Sequence, residues 1–196
     1  MNCIAQKRGA SLPRLGTQLL LAALLCTACT PEPDADKSIR RNVAEFYRLQ
    51  QAAPPSGALS LSELMTYRPL LSVALFEQLK DASVAEEAHF AQNADKAAPL
   101  FEGNLFTART EGFAATQVLD CAVDDDKASC NIELNAAETK PAVIRVWKER
   151  IFLSSDSRGW MIDDIDFGNQ PAPMRHGRLS ALLRAGIERG RAEAAQ

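Results

Sequence analysis

The chain has 196 residues, 46% of them apolar and 24% charged, with 22 Lys and Arg against 25 Asp and Glu for a formal net charge of −3. That length and apolar share suffice for one domain with a proper core, held without a metal or a dense set of disulfides. The acidic excess and the lack of a recognised basic motif exclude a nucleic-acid partner, because phosphate binding needs concentrated positive surface.

Taken in chain order, Lys7, Arg8 and Arg14 precede the apolar run from Leu19 to Leu25 and then Cys26-Thr27-Ala28-Cys29, the order of a secretory signal. The 11 residues from Leu19 to Cys29 are about half the ~20 that a membrane span needs. The end of this segment resembles a bacterial lipobox, with Ala28 before the expected acyl acceptor Cys29; Cys26 departs from the Leu usual in that family. The resemblance implies cleavage after Ala28 and a lipid anchor, and Thr30 in place of Asp after the acceptor implies the outer membrane facing the periplasm. Ordinary cleavage after Ala28, giving a soluble periplasmic protein, is the alternative. Three acyl chains on one residue would anchor the protein permanently. The expected divisions are a signal over 1–28, the acylated cysteine and a proline-rich tether over 29–36, a domain over 37–170 and a helical tail over 171–196. Without the signal the chain carries 19 basic and 25 acidic residues, a charge of −6.

In the domain, Asp36 can cap a first helix running to about Gln51, with Ile39, Val43, Phe46, Tyr47 and Leu49 at helical spacing. Ser60-Leu61-Ser62-Glu63 is a capping box that starts a short second helix. Pro69 opens a third, with Leu71, Leu75, Leu79, Val84, Ala88 and Phe90 as its apolar stripe. From Leu105 the pattern becomes strand-like over 105–110, 114–123, 128–135, 142–154 and 159–167. The fourth run does not alternate cleanly, and a bulge at Asp163-Asp164 would bring Trp160, Ile162, Ile165 and Phe167 to one face. Leu179, Leu182, Leu183 and Ile187 mark a C-terminal amphipathic helix. Helices first and a meander second predict an α+β fold with a curved antiparallel sheet.

Cys121 and Cys130 are the two cysteines left in an oxidising compartment once Cys3 and Cys26 leave with the signal and Cys29 carries lipid. A two-residue turn at Asp125-Asp126 sets them opposite each other on a non-hydrogen-bonded pair, where a disulfide can reach. The same register sets Leu119 against Ile132 and Val123 against Ala128. A structural staple is expected, with redox switching as the alternative.

Helices followed by such a sheet, ending in Gly159-Trp160-Met161-Ile162-Asp163-Asp164-Ile165, are similar to the cone-shaped fold named after nuclear transport factor 2. With Phe46-Tyr47 and the segment from Leu100 to Thr107, the chain resembles the uncharacterised domain of YbjP-type envelope lipoproteins over about residues 38–170. That resemblance carries no catalytic residues over. It implies a lipid-anchored accessory or binding role, and related small lipoproteins keep immunity against a toxin from competing bacteria open.

No phosphate loop, nucleophile elbow or zincin motif is present, so an enzyme is not expected. A small-ligand carrier or cone-fold enzyme stays as a third reading, with Asp164 or Asp166 and Tyr47 or Tyr67 as its acid–base set. His89 and His176 are too far apart in sequence to suggest a metal site, Asp124-Asp125-Asp126 lacks calcium-loop spacing, and no cofactor is called for. The expected partner is another envelope protein or a toxin. Its candidate surface is the edge made by Leu100, Phe101, Leu105 and Phe106 with Arg178 and Arg184 of the last helix, although packing under the sheet would also account for the four apolar residues.

Overall fold

The first helix, α1 (Pro33–Ala52), begins three residues before the expected cap. Proline suits a first helical position because its missing N–H is an unpaired one anyway, and Asp34 and Asp36 in the first turn complement the positive end of the helix. Asp36 is thus inside the helix, where it pairs with Arg40 at 2.9 Å. The computed structural model describes residues 33–93, 98–136 and 145–194. The signal, Cys29 and residues 30–32 of the expected tether lie outside them, whereas residues 33–36 of that tether form the first turn of α1.

Helix α2 (Leu61–Tyr67) starts on the predicted capping box: the Ser60 hydroxyl accepts from the Glu63 N–H and the Glu63 carboxylate accepts from the Ser60 N–H. Pro69 does not open the third helix. It lies in a 3₁₀ turn over Arg68–Leu70, and α3 (Val73–Asn93) begins after Ser72, whose hydroxyl accepts from the Leu75 N–H at 3.1 Å. The expected apolar stripe is buried only in its first half, at Leu71, Leu75 and Leu79. Leu75, Leu79, Ala82, Glu86 and His89 face inward, whereas Val84 and Phe90 are exposed.

Four antiparallel strands follow in meander order: β1 (Ala115–Asp124), β2 (Lys127–Asn135), β3 (Val146–Asp156) and β4 (Gly159–Asp166). The expected strand over 105–110 does not form. Its backbone groups are claimed by side chains and by a local turn, with Asn104 N–H donating to the Thr110 carbonyl and Ala108 N–H to the Glu149 carboxylate. The hairpin turns at Asp125-Asp126 as predicted, and Cys121 faces Cys130 with Cα atoms 4.1 Å apart in a disulfide. One extra residue in β1 between Val118 and Cys121 shifts the register, so Val118 pairs with Ile132 where Leu119 was expected. The β4 bulge falls where predicted: Asp164 pairs with Phe152 and Ile162 with Leu153, leaving Asp163 as the extra residue.

Helix α1 packs on β1 and β4, while α4 (Leu179–Ala194) packs on α3 and β4. Leu179, Leu183 and Ile187 of α4 join Phe46, Ile151, Ile162 and Ile165 in one core. The last helix therefore belongs to the domain, and the expected boundary at 170 does not divide a domain from a tail. This is an α+β protein, with helices and a four-stranded antiparallel sheet ending in a C-terminal helix.

Candidate functional site

Four of the six residues expected to form a partner-binding edge are buried: Leu100, Phe101, Leu105 and Phe106 are at most 6% exposed. The reason lies on α4. A Cβ at Gly186 would stand 2.3 Å from the Phe101 ring, and one at Gly190 would stand 2.7 Å from Leu100. The two glycines, one helical turn apart, leave a trough that receives both side chains, beside an open cleft of about 520 Å³ lined by the segment and the helix together. Two arginines close the join. Arg175 donates to the carbonyls of Glu102, Asn104 and Thr107, and Arg189 donates to that of Leu100.

The other two residues of the expected edge stand elsewhere. Arg178 and Arg184 line an open cleft of about 410 Å³ with Gln78, Lys127, Phe152 and Asp163. Asp164, behind them, is occupied: it accepts from the Ile165 and Ser180 N–H groups and from the Ser180 hydroxyl at 2.7 Å, holding the start of α4 to the β4 bulge. Arg178 lies 3.4 Å from the same carboxylate and 4.0 Å above the Phe152 ring. Arg184 and Lys127 are exposed, and among the described residues neither side chain has a hydrogen-bond or ion-pair partner. The cleft thus offers a partly stacked guanidinium, two unspent cations, one unspent carboxylate and an aromatic floor.

A second site was missed in the sequence. Trp147, Glu149, Ile151 and Leu153 point inward from β3, so the strand alternates cleanly, contrary to the expectation for this run, with a carboxylate in the apolar register. Glu149 Oε1 accepts from the Thr107 hydroxyl at 2.8 Å, the Ala108 N–H at 2.6 Å and the Trp147 indole at 2.7 Å. Its Oε2 has no partner among the described residues, nor do the Tyr47 hydroxyl and the Gln50 amide nitrogen, all three buried. Burial pushes the Glu149 carboxyl up to about 7, against the opposing pull of its three donors and of the Arg175 charge. Burial, and then the charge of Glu149, raises the Tyr47 hydroxyl well above its ordinary range. The clue was available in Trp147-Lys148-Glu149, because an acidic residue two positions from a tryptophan in a strand shares its face.

The carboxylate whose charge acts on Tyr47 is Glu149, with no hydrogen bond between them. Asp164 serves the start of α4, Asp166 accepts from the Gly168 N–H, and Tyr67 packs its ring between Phe46 and Phe106. His89 is buried, with Nε2 against the Ala98 carbonyl and Nδ1 2.7 Å from Glu193. No group of side chains suited to a metal ion occurs among the described residues. No family model, curated protein or solved structure matches the chain.

Proposed function

We propose that the chain is a lipid-anchored protein of the bacterial envelope, held by Cys29 at the outer membrane, whose domain acts by non-catalytic binding of another protein. The observation that carries this reading is the Cys121–Cys130 bond. It closes a hairpin whose partners sit 4.1 Å apart, and such a structural disulfide belongs to an oxidising compartment. That agrees with the charge, apolar run and small residues that precede Cys29. An accessory role in the envelope leads, with neutralisation of an incoming toxin as the competing form of the same binding activity.

A specific observation favours the second reading, a small-ligand carrier or acid–base enzyme. Glu149, Tyr47 and Gln50 each keep a buried polar atom without a partner, and such groups gather where a domain holds something polar. Binding leads because the carboxylate is engaged at Oε1 by three donors and lies only 3% exposed.

The test is made on the full chain in cells. A clickable palmitate analogue should label the protein in the outer-membrane fraction, Cys29→Ser should remove the label, and non-reducing peptide mapping should recover the Cys121–Cys130 peptide pair. Crosslinking of envelopes should then recover a protein partner. An unlabelled, soluble product would contradict the anchor, and a labelled protein with no partner that turns over or retains a small molecule would favour the second reading.

A further inference from the structure

The cleft at the start of α4 stands out against the rest of the chain. After removal of the signal the protein is acidic, with 25 Asp and Glu against 19 Lys and Arg, yet Lys127, Arg178 and Arg184 line one cleft together with Phe152. They come from two elements: Lys127 is the first residue of β2, and Arg178 and Arg184 stand at the entry to α4 and within it. Against the carboxylates of Asp163 and Asp164 the three cations leave the lining one positive charge in excess, and a positive excess on an acidic molecule draws a negatively charged partner to that place.

We infer that this cleft recognises an acidic segment of a partner protein, its carboxylates meeting Arg184, Lys127 and Arg178 and an apolar side chain resting on Phe152. The inference rests on the binding role proposed above and gives it a surface and a chemistry. Three features select a peptide over a phosphate-bearing surface. Arg178 donates to Asp164 through one nitrogen at 3.4 Å and lies over Phe152 at 4.0 Å, which leaves its other N–H groups to meet a planar carboxylate. Phe152 is half-buried with Arg178 over one face of its ring, and what it leaves exposed is apolar surface, which a headgroup does not need. Asp163 lines the same cleft as the bulged residue of β4. Its carboxylate repels phosphate and carboxylate alike, but it accepts from the backbone N–H groups that every peptide carries and a phosphate lacks. The nearby Asp164 does not compete for the free cations, because its oxygens are taken by Ile165, Ser180 and Arg178.

The experiment uses the full folded chain without its lipid, labelled with 15N, and three probes: a synthetic pentapeptide of four glutamates around a central phenylalanine, the same peptide with lysines for glutamates, and vesicles of phosphatidylglycerol and phosphatidylethanolamine. The acidic peptide should shift amide resonances at residues 127–128, 152–153, 163 and 178–184. Its affinity should weaken about threefold to fivefold in Arg184→Glu, the scale of one exposed charge pair, and fall further as salt is raised. The Lys127→Glu variant, on a different element, should behave alike. Equal shifts with the lysine peptide, shifts elsewhere, or binding only to vesicles would overturn the assignment. If crosslinking still recovers a protein partner in that event, the binding role stands and only the cleft is wrong.

Discussion

Arginine meets an aromatic residue at two places on α4 and its approach, and the two places do opposite work. Near Phe101, Arg175 and Arg189 donate to four backbone carbonyls, and the ring fills the trough over Gly186. Around Phe152, Arg178 stacks on a half-buried ring while Arg184 and Lys127 hold no partner among the described residues. Residue types alone gave both regions the same appearance. What separates them is whether the guanidinium donors are already used: a spent arginine fastens a loop, an unspent one leaves a charge for something outside the molecule.

The largest effect should come from putting a charge at each ring in turn. Phe101→Asp buries an unpaired carboxylate where 2% of the residue is exposed, and should cost about 4 kcal/mol or more. Phe152→Asp, on the open side, should cost under about 1 kcal/mol. Chemical denaturation of both variants reads the difference directly, and similar losses would erase the distinction.

The fold was legible where local chemistry decides it. The capping box at Ser60, the turn at Asp125-Asp126, the facing cysteines and the bulge at Asp163 all follow from short-range geometry and all appear. The burial of Phe101 was not legible because its cover comes from residues about 85 positions later, and the sign of that cover was the absence of side chains at Gly186 and Gly190. Glu149 was hidden for the reverse reason. A charged residue at an inward position of β3 broke the apolar alternation that marks a strand face. The exposed Val146 outside the core blurred it further.

The interior side of the comparison also titrates. Glu149 has its folded value raised from 4.5 to about 7 by burial, so the fold favours the neutral acid. Its contribution is fully present below about pH 4.5 and is lost as the pH rises to about 7, a change of about 3 kcal/mol. Glu149→Gln should remove that part of the pH dependence, measured as the difference between variant and parent stability across the interval. Arg175→Ala, which takes away the positive charge that opposes the shift of this carboxyl, should move the loss to higher pH and destabilise the loop it fastens by about 2 kcal/mol. A parent protein whose stability is flat between pH 4.5 and 7 relative to Glu149→Gln would contradict the buried state of the acid.

The smallest expected effect on stability is Arg184→Glu. An exposed side chain with no partner among the described residues should change stability by less than about 0.5 kcal/mol, while partner recovery falls. Loss of stability comparable to that of Arg175→Ala would mean that Arg184, too, is spent on the fold.

Site-specific photocrosslinking in living cells separates the two regions most directly, with the photoreactive residue placed at position 184 in the cleft or at position 102 on the exposed part of the expected edge. A domain that binds through the cleft predicts a discrete protein adduct from 184, weakened by Lys127→Glu, and none from 102. The same adduct from 102 with none from 184 would contradict it and return the interface to the edge first read from the sequence.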